Sequence, residues 1–361
     1  MSAAANGDAG VRFGPSEQEE QPASSRDELM PWTFSERVVP DVGGFAALLS
    51  LDHDERLFRH NYAHPILASV THGAGTKLKV AFMTGRHDAV GMDLVASCAN
   101  DVLTLGAEPL FFLDYVVTDK PEQDALRQLA AGIVTGCRQA GCALLGGRTC
   151  EEPALYGKGG YSAAGFMVGV VEKHRIIAGD RMRPGDMVVG LASNGLHVCP
   201  PEGDLLLGRL FFDEAGMRCS DSLARFGIER TLGEELLTPM RIYVRAVRFV
   251  LHRYTVKQVV AAIVHVAAGG LFGSIARLLP EGCAVELGSA NWQRPRIFEV
   301  LRQLGDVPMA QMYGMFNMGI GMVLVVAPYY AESVVRQLRR EGEEAAIIGR
   351  VVEGPKQVSV S

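Results

Sequence analysis

Gly91-Met92-Asp93-Leu94-Val95-Ala96-Ser97-Cys98-Ala99-Asn100-Asp101-Val102-Leu103-Thr104-Leu105-Gly106 reads as one amphipathic helix, and it leads into an apolar strand, Leu110-Phe111-Phe112-Leu113-Asp114-Tyr115-Val116-Val117. Leu94, Val95, Cys98, Val102 and Leu105 recur at helical spacing, and Gly106 stops the helix. Asp93, Ser97, Asn100, Asp101 and Thr104 occupy the other face. A stripe of this kind is either a solvated surface or, being short and without Lys or Glu, a ligand-facing one. Asp114 interrupts its strand, and a buried carboxylate is costly unless paired. It therefore either faces solvent on the alternate side or is a placed acid.

Upstream, His72-Gly73-Ala74-Gly75-Thr76-Lys77 forms a glycine-rich turn carrying a positive charge. Exposed backbone N–H groups beside an ammonium suit an anion, most often a phosphate. The spacing is not that of a Walker A loop, so a plain turn stands beside the phosphate reading. Downstream, helix and strand alternate: a helix from near Pro121 to Gly141, then strands at 142–146 and 161–171. Gly146-Gly147-Arg148-Thr149 reads as a turn after the first of these, plain or anion-binding. The charged link Glu172-Lys173-His174-Arg175 precedes a second α/β unit that opens with Met187-Val188-Val189-Gly190-Leu191. Later strands fall at 258–264, 320–327 and 346–352, with helices after Gly270 and at 330–341. His197 and His265 each end near a strand beside glycines, the usual place for a ligand contact in an open α/β sheet; lone histidines are also often structural. The methionines of 315–322 read as core filler, whereas Asn317 with two glycines suggests a close backbone approach.

With 361 residues, the chain exceeds what one core usually supports. The expected layout is a disordered leader at 1–31, an N-terminal domain at 32–171 and a C-terminal α/β domain at 172–361. The formal charge of −6 and the lack of a Lys/Arg cluster exclude a nucleic-acid footprint. Seven cysteines without a C-x-x-C pair argue for a reducing compartment. No apolar run reaches membrane-spanning length, and no signal-peptide core opens the chain. The expected location is the cytoplasm.

The chain resembles the phosphoribosylformylglycinamidine cyclo-ligase (aminoimidazole ribonucleotide synthetase) family, collinearly from about Val42 to Val352. The resemblance is most specific from His87-Asp88 to Asp114-Tyr115. It continues in Gly195-Leu196-His197, Thr238-Pro239-Met240-Arg241-Ile242-Tyr243, Trp292-Gln293-Arg294-Pro295 and Phe316-Asn317-Met318-Gly319-Ile320-Gly321. It implies a two-domain α/β fold and a homodimer whose N-terminal sheets pair. It also implies ATP and Mg²⁺, and ring closure of formylglycinamidine ribonucleotide in purine synthesis, in which ATP activates the formyl amide oxygen and an amidine nitrogen closes the ring. Carried over by motif, the catalytic set is Lys77, His197, His265 and Asn317. The ATP and phosphate set is Gly73, Gly75, Thr76, Lys77, Asn100, Asp114, Gly146 and Gly147, and the metal set is Asp93 and Asp101.

The chain also departs from the family pattern. His72 stands where the family has Asp, and Arg148 where it has Glu. Val198-Cys199-Pro200 replaces Ser-Asn-Gly, and Ala267-Ala268 replaces Thr-Gly. His72 and Arg148 fall on segments that resemble phosphate-facing loops, so an altered metal and phosphate site is expected. Restoring both acids is expected to raise Mg²⁺-ATP affinity. Two other readings stand beside ring closure: a catalytically degenerate paralogue that keeps the dimer and binds a nucleotide or phosphorylated metabolite, and an ATP-using relative acting on another amide.

Overall fold

Two sheets, each backed by helices, organise the chain. A computed structural model describes residues 28–39, 48–51, 62–120, 122–153, 159–197, 207–254 and 256–361. Most of the leader and the Val198-Cys199-Pro200 substitution lie outside these. After the short pair β1 (Val38–Val39) and β2 (Leu48–Leu49), the N-terminal unit contains β3 (Pro65–Gly73), α1 (Lys77–Thr84) and α2 (Asp88–Thr104). It continues with β4 (Glu108–Thr118), α3 (Gln123–Ala140), β5 (Ala143–Glu151) and β6 (Tyr161–Glu172). Its sheet runs β3-β6-β4-β5. Strands β3 and β4 flank β6 antiparallel, and β5 joins β4 in parallel, as a strand reached through a helical crossover does.

Helices α2 and α3 cover one face of this sheet. Their crossing is close because glycine lies at the contact: a Cβ on Gly132 would come 2.0 Å from the Asp88 carbonyl oxygen. Among the described residues no helix covers the other face, and on it Tyr115 and Phe166 are 47% and 39% exposed.

The C-terminal unit holds β7 (Met187–Ala192), α4 (Leu232–Leu236), α5 (Val244–Arg253), β8 (Val260–His265), α6 (Gly270–Ala276) and β9 (Cys283–Leu287). There follow α7 (Arg296–Leu304), α8 (Met309–Met315), β10 (Ile320–Val326), α9 (Ala331–Arg340), β11 (Ala345–Glu353) and β12 (Val358–Val360). The sheet order is β12-β9-β11-β7-β10-β8, antiparallel except for β12 against β9. Strand β10, Ile-Gly-Met-Val-Leu-Val-Val, is buried at every residue, which explains its continuous apolar run.

Two expectations about local structure are corrected. Gly146, Gly147 and Arg148 form no turn but continue β5, which pairs with β4 as far as Thr118 opposite Glu151. The long β4 offers an edge whose backbone groups need partners. A register shift at Phe112/Leu113, with Gly146 at φ 146°, lets the strand run on. His72 likewise lies within β3 rather than in a loop; the turn proper is Ala74–Thr76.

Candidate active site

The polar stripe of α2 is buried, so it is not a solvated face. Asp93, Ser97 and Asn100 are 3%, 5% and 0% exposed. They are covered by the segment from Thr238 to Tyr243 of the C-terminal unit. Asp93 Oδ1 accepts from the Met240 N–H at 2.7 Å, and its other oxygen pairs with Lys77 Nζ at 2.7 Å. Lys77 Nζ also donates to the Thr238 carbonyl at 2.7 Å. One turn or two further along, Asn100 Nδ2 donates to the Arg241 carbonyl at 2.8 Å, and its Oδ1 accepts from the Tyr243 N–H at 3.1 Å. Backbone groups of an irregular segment are thereby satisfied by side chains of a helix in the other domain. The spacing of seven between Asp93 and Asn100 puts both on the same helix face, two turns apart.

Asp101 stands beside this clasp and joins three elements. Its Oδ2 meets His72 Nε2 of β3 at 2.7 Å, and its Oδ1 meets His265 Nδ1 at the end of β8 at 2.7 Å. Burial pushes this carboxyl up, but the hydrogen bonds from His265 and His72 outweigh that and hold it well below the usual carboxylate range. With its Nδ1 held by Asp101, His265 has Nε2 as its remaining ring nitrogen, buried and without a hydrogen-bond partner among the described residues.

His197 is buried in the C-terminal unit. Burial, followed by the positive groups of His265, Lys77 and Arg241, holds its imidazole well below the usual range, so it is neutral at physiological pH. Its backbone N–H donates to Asn317 Oδ1 at 3.2 Å, while Asn317 Nδ2 donates to Ser193 Oγ at 2.8 Å and to the Gly195 carbonyl at 3.1 Å. Asn317 thus ties the 193–197 turn down. Below the ring only glycine fits: a Cβ on Gly321 would come 2.0 Å from Tyr243 Oη and 2.4 Å from His197 Cε1. The Tyr243 hydroxyl donates to the Ala192 carbonyl at 2.9 Å.

The structure therefore brings Lys77, Asp93, Asn100, Asp101, His72, His197 and His265 together at the junction of the domains. Gly73, Gly75 and Thr76 lead into the N-terminus of α1 at Lys77, which no side chain caps, with Gly75 in the left-handed region at φ 68°. Asp114 lies two strands from His72, in the same sheet and buried. It is opposite Gly147 in the β4–β5 ladder, where an added Cβ would come 2.2 Å from its Oδ1. His72, Gly165, Asp114 and Gly147 form one cross-strand row. Arg148 belongs to the next row with Tyr115, on the helix-free face. His72 and Arg148 consequently face opposite sides of the sheet, and restoring both acids would not rebuild a single site.

Sequence reasoning missed Tyr243, Ser193 and Gly321 as parts of the site. Gly321 inside an unbroken apolar strand was an available signal, because such a glycine marks a close approach. Tyr243 closes the Thr238-to-Tyr243 motif and Ser193 opens the turn that leads to His197, but no periodicity marks either as a site residue.

Models of two families match the chain: "AIR synthase related protein, N-terminal domain" at residues 54–171 and "AIR synthase related protein, C-terminal domain" at residues 183–361. The chain is 45% identical over 323 residues to a phosphoribosylformylglycinamidine cyclo-ligase from Trichlorobacter lovleyi, covering 90% of this chain and 88% of that protein. It is 46% identical over 315 residues to one from Sorangium cellulosum, covering 87% and 86%. Among solved structures, thiamine-monophosphate kinase from Stenotrophomonas maltophilia superposes with a TM-score of 0.66 at 16% identity, over 93% of this chain and 96% of that one. The hydrogenase maturation protein HypE, in a structure with ATP, gives 0.59 at 17% identity, covering 93% and 87%. These two likenesses concern the fold.

Proposed function

The chain belongs to the AIR synthase related family, and on that premise we propose that it is a cyclo-ligase that closes formylglycinamidine ribonucleotide to aminoimidazole ribonucleotide at the expense of ATP. The observation that carries this reading is the site itself: Lys77, Asn100, His197 and His265, drawn from both domains, meet at one junction. The relatives' shared name supports ring closure over a degenerate paralogue.

In the proposed reaction the formyl amide oxygen attacks the γ-phosphorus of ATP and ADP leaves. The amidine nitrogen then adds to the activated carbon, loses a proton, and phosphate departs with its C–O bond. Such a transfer depends mainly on positioning and charge neutralisation. The turn at Gly73–Thr76 and the first N–H groups of α1 suit the phosphates. His197, held neutral by burial and the neighbouring cations, keeps an uncharged imidazole at the junction. Asp101 fixes the orientation of the His265 ring through Nδ1, and Asn317 positions the His197 turn.

Mg²⁺ would accompany the ATP phosphates. Asp93 and Asp101 do not fit it as they stand, because Lys77 and Met240 engage both oxygens of the first, and two imidazoles engage those of the second. Among the described residues, no group of three His, Cys, Asp or Glu side chains could hold a metal. No step is therefore assigned to protein-held metal. The reading places the protein in the cytoplasm as a homodimer formed through the helix-free sheet face; no described helix is long and apolar enough to cross a membrane.

The test is steady-state ADP release with formylglycinamidine ribonucleotide, with Mg²⁺ varied. Substrate-dependent ADP release with formation of aminoimidazole ribonucleotide is expected. ADP release that ignores the substrate, or none at all, would overturn the proposal.

A further inference from the structure

A cavity of about 1100 Å³ opens between the two domains at the far end of β8. It is bordered by Val260, where β8 begins, whereas His265 of the candidate active site is where it ends. Five residues of strand separate them by about 16 Å. The volume is at or above the range of roughly 300–1,000 Å³ typical of small-molecule sites.

Its lining has two characters. Its apolar and aromatic groups are Ile177, Leu251, Val259, Val260, Tyr254 and Tyr330, the two tyrosine rings meeting edge to face at 5.4 Å. Its cationic and imidazole groups are His174, Arg175, Arg181, Arg248, His252 and Lys257. Two carboxylates reach the cavity, and both are engaged. Glu108 binds Arg37 at 3.0 Å, the Tyr62 hydroxyl at 3.0 Å, and Arg248. Glu172 accepts from the backbone N–H groups of Ala63 and His64 at 2.9 and 2.8 Å, with His174 3.7 Å away. Among the described residues, Arg175 and Lys257 have no carboxylate partner. The like charges are also close enough to act on one another: after burial, the guanidinium of Arg248 lowers the pKa of His252, with Glu108 opposing and Arg175 adding to the lowering. Arg175 and Lys257, the two cations of this lining left without a carboxylate among the described residues, favour an anion beside them. Arg and Lys are the usual partners of phosphate oxygens.

We propose that this interdomain cleft is a binding site for a phosphorylated metabolite with a ring-bearing, partly apolar body, of the nucleoside monophosphate class, separate from the candidate active site. Phosphate sits between Arg175 and Lys257, and the ring lies along the Tyr254–Tyr330 pair. The site draws on the link between the domains, on α5 and on the start of β8, so its ligand bridges both units.

The experiment titrates AMP into the full chain by calorimetry and maps protection by hydrogen–deuterium exchange, beside an Arg175→Gln/Lys257→Gln double variant. Removing two charge-assisted contacts is expected to weaken AMP binding by about tenfold or more, with an unchanged melting temperature as the control for folding. Bound AMP is expected to protect amides in 173–181 and 248–260, and inorganic phosphate is expected to compete poorly. Equal AMP affinity in the double variant, protection confined to 72–101, no binding at millimolar AMP, or phosphate competing as well as AMP would each overturn the proposal. The ADP-release assay reads the other site, so the two proposals fail separately.

Discussion

Asp101 uses each of its oxygens on a different imidazole, and that arrangement gives it a pH signature. Its carboxyl titrates below the unfolded value of about 3.9, because the bonds from His265 and His72 outweigh burial. A carboxyl depressed in the folded state binds fewer protons than in the unfolded chain. Its contribution is therefore complete above the unfolded pKa and is lost as pH falls through it toward the folded value. Denaturation between about pH 5 and 3 should consequently show a steeper fall in stability for the parent than for Asp101→Asn, by up to one proton in the linkage slope. Identical slopes would mean that the two imidazole bonds do not stabilise the fold. The Lys77–Asp93 pair is more deeply buried, its side chains 13% and 4% exposed. Removing one partner of such a pair leaves an uncompensated charge, at a cost of about 3–5 kcal/mol. Lys77→Met is thus expected to lower stability by that order, and Lys77→Met/Asp93→Asn by clearly less; urea unfolding of both would show it. A double variant no more stable than the single one would count against the pair.

Helix α2 is the element on which both domains depend. Its apolar face lies on the sheet and its polar face clasps the 238–243 segment, so any displacement is felt on both sides. The contact with α3 sets its position, and there the Gly132 Cα approaches the Asp88 carbonyl too closely for a side chain. Gly132→Ala must part the helices or distort their backbone, and overpacking of this kind costs about 1–3 kcal/mol. A lower melting temperature and weaker ATP binding are expected together, because moving α2 moves Asp93 and Asn100. Full retention of both would show that the crossing is more tolerant than its geometry implies.

At the scale of the molecule, the helix-free face of the four-stranded sheet exposes Tyr115 and Phe166 among Leu113, Val117 and Val168. In the homodimer proposed above, this face is the interaction surface. Its burial against a second copy would contribute about 25 cal/mol for each Å². Sedimentation at micromolar concentration should give a dimer for the parent and a monomer for Phe166→Glu, whose carboxylate would have to be desolvated in the interface. A monomeric parent, or a dimeric variant, would rule this face out.

The helix at 91–105, the apolar strands, the family and the two-domain α/β fold were legible in the sequence alone, because periodicity and ordered motifs are local properties of the chain. The residues of the candidate site were legible one at a time. Their partners were not. That Asp93 belongs to Lys77 and Met240, that Asp101 lies between His72 and His265, and that Arg148 faces away from His72 depend on contacts between residues up to 164 positions apart. The turn expected at Gly146-Gly147 became strand because β4 supplied a long edge to pair with, which no window around those glycines contains. Whether the polar stripe faced solvent or protein was likewise decided by the segment folded over it. An isolated helix displays a polar face; only packing determines whether water, a ligand or another domain satisfies it.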